Sequence, residues 1–315
     1  MPTIGKLSVP RADLGEAFRE YQPEGQSFIS GLVLPERPVA KVAGTLPVIK
    51  RENYRLTETK SSNGAAANRI NLAIGETDYK CEKHKLEITL TDDDRANYTD
   101  DFDSELECVQ LLKTTMLLDR EVDARNALFN TTTFAGSDLF TDLSSAPWDA
   151  AGSDIIGHVT ATMEKIRKNC GYRANALVVG EATMVNMLNN TGIRNRFPGA
   201  SLITRAMIEQ SMISIFGLER LIVGSVVYNG ANEGQAWNGT DLWGDDYAMV
   251  CKINTGSTLS GGLGRTLVWD TFGGSLDFVT QYREEQIDSD VFKVSLYDEV
   301  KVFEPAFGHL LLVDA

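Results

Sequence analysis

Between residues 52 and 90 the chain reads ENYRLTETKSSNGAAANRINLAIGETDYKCEKHKLEITL, and no other stretch limits the possible folds as tightly. Its flanks, Asn53 to Thr59 and Asp78 to Thr91, are strand-like, while the tip between them is small and polar and could bury almost nothing of its own. On the return flank Tyr79, Cys81, Lys83 and Lys85 fall on one face, and Leu86, Ile88 and Leu90 alternate with Glu87 and Thr89. Asn63-Gly64 supplies a turn, because both residues tolerate positive φ. The pattern predicts a long projecting hairpin. An isolated two-stranded ribbon is marginal in water, so this one must lie on its own domain or on a neighbouring subunit.

The residues before it pose the same problem. Six of the nine prolines (Pro2, Pro10, Pro23, Pro35, Pro38 and Pro47) fall within residues 1–50, which predicts an irregular arm following a surface. Only Arg11 to Tyr21 has a briefly helical pattern. Phe28, Ile29, Leu32, Val33 and Leu34 are apolar without helical or strand spacing, so something outside a local element must cover them.

The strongest helix follows, in DSELECVQLLKTTMLLDREVDARNALFN. Ser104 and Glu107 have capping-box spacing, and Leu106, Val109, Leu112, Met116, Ala124 and Ala127 recur near the helical period. A helix from Ser104 to Asn130 would be a rod of roughly 40 Å. From about residue 148 helix and strand alternate. Ser153 is the expected cap of a helix with Ile155, Ile156, Val159, Met163 and Ile166 on its apolar face, ended by Gly171. A buried strand at Ala176 to Val179 and helices at Glu181 to Asn190 and Ser201 to Phe216 come next. Strands at Arg220 to Tyr228 and Tyr247 to Ile253 flank the loop YNGANEGQAWNGTDLWGDD. The tail from Arg265 to Val313 is strand-rich and has no useful helical pattern, so it must pair with earlier strands or cover the long helix. The fold class is therefore α+β, with a discontinuous first domain interrupted by an α/β insert.

Composition excludes several classes of function. Thirty Lys plus Arg against 44 Asp plus Glu give a formal charge of −14, which opposes specific binding to a phosphate backbone. No apolar run approaches the ~20 residues of a membrane helix, and no secretory signal opens the chain, so an intracellular protein is expected. Cys81, Cys108, Cys170 and Cys251 are too scattered for a metal or redox motif and read as reduced, mostly buried thiols. No nucleotide loop, HExxH or GxSxG occurs, and SGGLGR at 260–265 lacks the helix that should follow a phosphate-binding turn. His84, His158 and His309 have no ligand spacing, and the loop from Asp92 fails the calcium-hand pattern. No catalytic, metal or cofactor site is expected, and the protein is read as a non-enzyme.

The order of arm, long hairpin, spine-like helix, α/β insert and strand-rich tail resembles the major capsid protein family of tailed bacteriophages, the Hong Kong 97-type fold. The likeness is carried by GQSFISGLVLPERPVAKVAGTLPVIKRENYRL in the arm, LDREVDARNALFN at the end of the long helix, WDAAGSDIIGHVTATMEKIRKNCGYRANALVVGEATMVNML in the insert, and GLERLIVGSVVYN with DDYAMVCKI after it. It implies an N-terminal arm at 1–50, an extended loop at 51–92, a peripheral domain from 93–147 and 263–315, and an axial domain at 148–262. It also implies a coat protein that self-assembles through hexamers and pentamers into an icosahedral head. In the family the extended loop lies over the neighbouring subunit.

Candidate subunit contacts are then Phe28, Ile29 and Leu32 in the arm, Tyr54, Lys60, Asn63 and Arg69 in the loop, and Trp237 and Trp243 in the 228–246 loop. Some members crosslink a loop lysine to a peripheral asparagine. Lys60 is placed for this, but 265–315 contains no asparagine, so no crosslink is expected. Scaffolding is expected from a separate protein, with portal and cement proteins as further partners and double-stranded DNA held non-specifically inside a virion assembled in the host cytoplasm. Two other readings fit part of the pattern. One is an encapsulin-like compartment shell; the other is a carbohydrate-binding or hydrolytic module using the Trp-, Asn- and Asp-rich loop at 228–246.

Overall fold

The computed structural model describes residues 9–23, 27–49, 53, 56–64, 66–97, 103–150, 152–196, 204–256, 261–269 and 279–314. Its helices are α1 (Ala12–Glu20), α2 (Ser30–Val33), α3 (Asp92–Asn97), α4 (Ser104–Leu128), α5 (Ile155–Cys170), α6 (Glu181–Asn189), α7 (Thr191–Arg194) and α8 (Arg205–Phe216).

The first sheet is built by β1 (Val9–Pro10), β2 (Glu36–Val39), β5 (Glu82–Thr91), β12 (Gly264–Trp269), β13 (Val279–Glu284) and β14 (Ser289–Val302). β14 is its backbone: it pairs antiparallel with β5 on one side and with β13 and β12 on the other. β2 closes one edge, parallel to β12. The apolar alternation at Phe292 and Val294 faces Val109, Leu112 and Met116 of α4 and Leu14 and Phe18 of α1, so the tail covers the long helix. Further along α4, Ala124 and Leu128 enter the large core of the α/β unit. A helix of 25 residues, about 38 Å long, is needed because two cores share it.

The second sheet has the order β6 (Phe140–Asp142), β15 (Gly308–Leu312), β11 (Tyr247–Cys251), β7 (Ala176–Gly180) and β8 (Arg220–Gly224). β7 is buried at every position, as expected for a strand covered on both faces. The last strand of the chain, β15, crosses into this sheet instead of staying with the rest of the tail. A small antiparallel pair, β9 (Val227–Asn229) and β10 (Gly239–Asp241), carries the polar loop, so the strand expected from Arg220 to Tyr228 is split in two.

The structure corrects the expected hairpin. Of the flank expected from Asn53 to Thr59, the described residues 53 and 56–59 form no strand. Instead β4 (Ile74–Lys80) pairs with β3 (Ala43–Ile49) from the arm, and β5 is committed to β14 along its whole length. The cause is the apolar face of the return flank: Leu86, Ile88 and Leu90 pack into the core against α4, which a free ribbon could not offer them. The arm is likewise more regular than its prolines suggest, holding α2, β2 and β3. Two caps shift by one residue. Asp103 caps α4 through Leu106 N at 3.2 Å, and Asp154 caps α5 through Gly157 N at 3.0 Å. In each case an adjacent aspartate supplies the acceptor, leaving Ser104 as the first helical residue and Ser153 donating to Ala146 O. Gly171 and Gly217 end α5 and α8 in the left-handed region, at φ of 78° and 63°.

Buried polar groups fix the α/β core. His309 on β15 is fully buried, with Nδ1 2.9 Å from Asp138 O and Nε2 2.8 Å from the Thr141 hydroxyl. Burial pushes its pKa down to about 4. Below the ordinary histidine range the unfolded chain takes up a proton that the folded chain refuses, so stability falls as pH drops from about 6.5 to about 4. The full loss is roughly 3 kcal/mol. A His309→Asn variant should lack this component, so the wild type should lose about 3 kcal/mol more than the variant between pH 7 and pH 4 in urea denaturation. Equal losses would refute it. Cys81, Cys170 and Cys251 are buried, and burial drives the Cys251 thiol up to about 12.

Candidate assembly surfaces

The described residues of the loop between β3 and β4 are mostly exposed. Its legs are held together by side-chain amides: Asn53 bonds Ala73 in both directions, at 2.8 and 2.6 Å, and Asn68 Nδ2 donates to Glu58 O at 2.7 Å. The turn is Asn63-Gly64, with Gly64 at φ 84°. Between the legs lies an open cleft of about 810 Å³, lined by Leu56, Glu58, Arg69 and Ile70 among others. Leu56, Ile70, Leu72 and Ile74 are exposed, from 54% at Ile74 to full exposure at Leu56, and none of them joins a core cluster. Three large apolar side chains on the loop and Ile74 at the start of β4 form an uncovered surface of the kind that marks an interaction site.

At the root of this loop, charges from four elements meet. His84 of β5 lies 3.0 Å from Asp119 of α4 and 3.3 Å from Asp298 of β14. Arg120 of α4 bonds Asp298 at 2.9 Å and pairs with Glu36 of β2. Burial, with Asp119 beside it, holds the Asp123 carboxyl above its usual range. Tyr79 and Cys81 at the end of β4 pack with Val39, Leu267 and Phe303, so the loop is anchored at its base.

Of the candidate contact residues, Lys60, Asn63 and Arg69 are exposed on the loop, and Leu32 is 52% and Trp237 70% exposed. Phe28 is half-buried against the main core. Tyr54 lies outside the described residues. Two candidates are corrected. Ile29 and Trp243 are buried inside their own subunit, at 0% and 1% exposure, and are held by one carboxyl group. Glu121, itself fully buried in α4, accepts Ile29 N and Trp243 Nε1 on Oε1 at 2.8 and 2.9 Å and Ser30 N on Oε2 at 2.9 Å. Trp243 also meets Phe129 edge-on at 5.2 Å and fills the space beside Gly224, where a Cβ would sit 2.2 Å from its ring. The arm, the long helix and the 228–246 loop are thus tied together at Glu121. The exposed apolar row of the loop escaped the sequence reading because its members are scattered among polar residues without a period.

A two-core chain threaded by one long helix, with an anchored loop that leaves apolar side chains uncovered, has the Hong Kong 97-type capsid fold. The chain matches no family model. In sequence it is 26% identical over 226 residues to the major capsid protein of Burkholderia phage BcepMu, covering 71% of this chain and 70% of the relative. It is 21% identical to the major capsid protein of Pseudomonas phage JBD67, with 79% and 80% covered. Its structure is similar to a phage-related protein from Bordetella bronchiseptica RB50, with a TM-score of 0.72, 17% identity and 97% of both chains covered. The capsid of cyanophage P-SCSP1u follows at 0.59 and 12% identity, covering 94% of this chain and 91% of that one. The encapsulin SrpI of Synechococcus elongatus PCC 7942 shares the fold at 0.55 and 10% identity, covering 93% and 90%. The chain's sequence relatives are thus phage major capsid proteins, and its fold is that of solved phage capsids.

Proposed function

We propose that copies of this chain assemble into the hexamers and pentamers of an icosahedral head that encloses double-stranded DNA. The α/β units surround the capsomer axes, and the 51–92 loop crosses onto the neighbouring subunit. The observation that carries this is the uncovered row Leu56, Ile70 and Leu72 on a loop anchored at its root, continued by Ile74 at the start of β4. Those side chains gain shelter when a second copy covers them, and many such modest contacts add through multivalency. The chain's role is structural. Its net charge of −14 suits a wall that confines DNA without gripping it. Assembly takes place in the host cytoplasm, with scaffolding, portal and cement functions supplied by separate proteins.

Negative-stain microscopy with sedimentation of the expressed protein tests the reading. Shells, tubes or capsomer rings are expected; a monodisperse monomer at high concentration would overturn it. The encapsulin-like reading shares this outcome and is separated from it by the contents of the particles, which would be a protein cargo and not DNA.

A further inference from the structure

The edge of the first sheet holds two guanidinium groups that, among the described residues, are paired with no acid. β2 runs parallel to β12 with Arg37 opposite Leu267. Arg265 stands two residues before Leu267, so strand alternation brings both arginines to one face. Arg265 is 5% exposed, and Nη2 donates to Gly256 O at 2.5 Å. Arg37 is half-buried, and its Nη1 is buried without a hydrogen-bond partner. The two charges feel each other: burial, and then Arg37, lower the pKa of Arg265.

The acids that could neutralise them are engaged. Glu299, opposite Leu267 on β14, accepts from Lys80 N and pairs with Lys301. Glu36 pairs with Arg120, and Asp298 with Arg120 and His84. Among the described residues neither arginine forms an ion pair. An uncompensated buried charge is costly, and a guanidinium fork is shaped to take a carboxylate through two parallel bonds.

We propose that Arg37 and Arg265 form a carboxylate-binding site filled, on assembly, by an Asp or Glu of a second copy of this chain. The inference rests on the shell reading and adds its electrostatic partner. A second copy is the occupant the observations favour. The chain carries 44 acids against 30 bases, so a neighbouring copy presents carboxylates in excess. β2 is the outermost strand of its sheet, and Leu267 packs with Tyr79 and Cys81 at the root of the extended loop, where a neighbour's contact begins. A DNA phosphate is disfavoured by the net negative charge and by the depth of Arg265. The site is therefore strained in the free subunit and relaxed in the shell, which couples subunit stability to assembly.

The test compares wild type with Arg37→Gln, both as unassembled subunits in thermal melts and in assembly titrations followed by light scattering. The variant is expected to melt at or above the wild-type temperature while needing about tenfold more protein to assemble. Arg37→Lys, which keeps the charge and loses the fork, should fall between them. Assembly of Arg37→Gln at the wild-type concentration overturns the site. So does a variant that assembles normally but retains less duplex DNA, because a phosphate would then be the occupant. If Arg37→Gln does not accumulate as folded protein, wild-type assembly by Arg37→Lys overturns the site instead. A wild-type chain that forms no particle overturns the shell reading and this site with it, whereas wild-type shells beside identical variant shells overturn the site alone.

Discussion

Replacing Glu121 with alanine is expected to remove about 5 kcal/mol from the stability of the subunit, a large share of the ~5–15 kcal/mol that holds a typical domain together. The magnitude follows from what the carboxyl group serves. Three N–H donors, from Ile29, Ser30 and Trp243, end on its two oxygens inside a fully buried pocket. Each donor left without an acceptor costs roughly 1–3 kcal/mol, and the truncated side chain leaves a cavity as well. Glu121→Gln keeps one acceptor oxygen but turns an amide donor toward a backbone N–H, so a smaller loss of about 2 kcal/mol is expected. Urea denaturation of the unassembled protein measures both, and failure of the alanine variant to accumulate in soluble form is consistent with the larger figure. A wild-type midpoint for Glu121→Ala would remove Glu121 from its central place in the fold.

The same carboxyl group explains where sequence reasoning succeeded and where it stopped. The long helix, the α/β alternation and the covering tail are carried by local periods and end signals: Val109, Leu112 and Met116 at helical spacing, Gly171 and Gly217 at helix ends, Phe292 and Val294 at strand spacing. Ile29 and Trp243 carry no such signal. Their burial depends on an acceptor 92 and 122 residues away in the chain. Trp237 and Trp243 share one polar loop, yet one is 70% exposed and the other 1%. The difference lies in the room left by Gly224 and in the single acceptor at Glu121, neither of which is a property of the loop itself.

The hairpin failed for a related reason. Strand propensity located β5 and only the end of β4, reading Asp78 to Thr91 as one flank, but pairing is set by which apolar face finds a core, and Leu86, Ile88 and Leu90 find theirs on α4. What remains of the sequence argument is its physical centre: the segment between the paired strands cannot shelter its own apolar residues. The structure identifies those residues as Leu56, Ile70 and Leu72, with Ile74 beside them at the start of β4.

Replacing residues 56–72 with an Asn-Gly turn should therefore separate folding from assembly. Among the described residues none of the removed side chains belongs to a core cluster, and the β3–β4 pairing and the Tyr79–Cys81 anchor are retained. Shortening a flexible loop changes closure entropy only slightly, so the subunit should unfold within about 1 kcal/mol of wild type. Assembly is a different matter. Burying a large aliphatic side chain is worth about 1.5–3 kcal/mol, and the variant loses three of the four such groups from every subunit at once. Because each subunit repeats the deficit around a closed shell, the losses compound, and particles should be absent at concentrations where the wild type assembles completely. A milder form of the experiment leaves the loop at full length and changes Ile70→Asp together with Leu72→Asp, which opposes burial without altering reach. Sedimentation should find this variant as folded, unassembled material. If either variant closes into shells of normal yield and stability, then the loop's apolar row has another use, and the contacts that hold neighbouring subunits together must be sought on the exposed face of α4 or around Trp237.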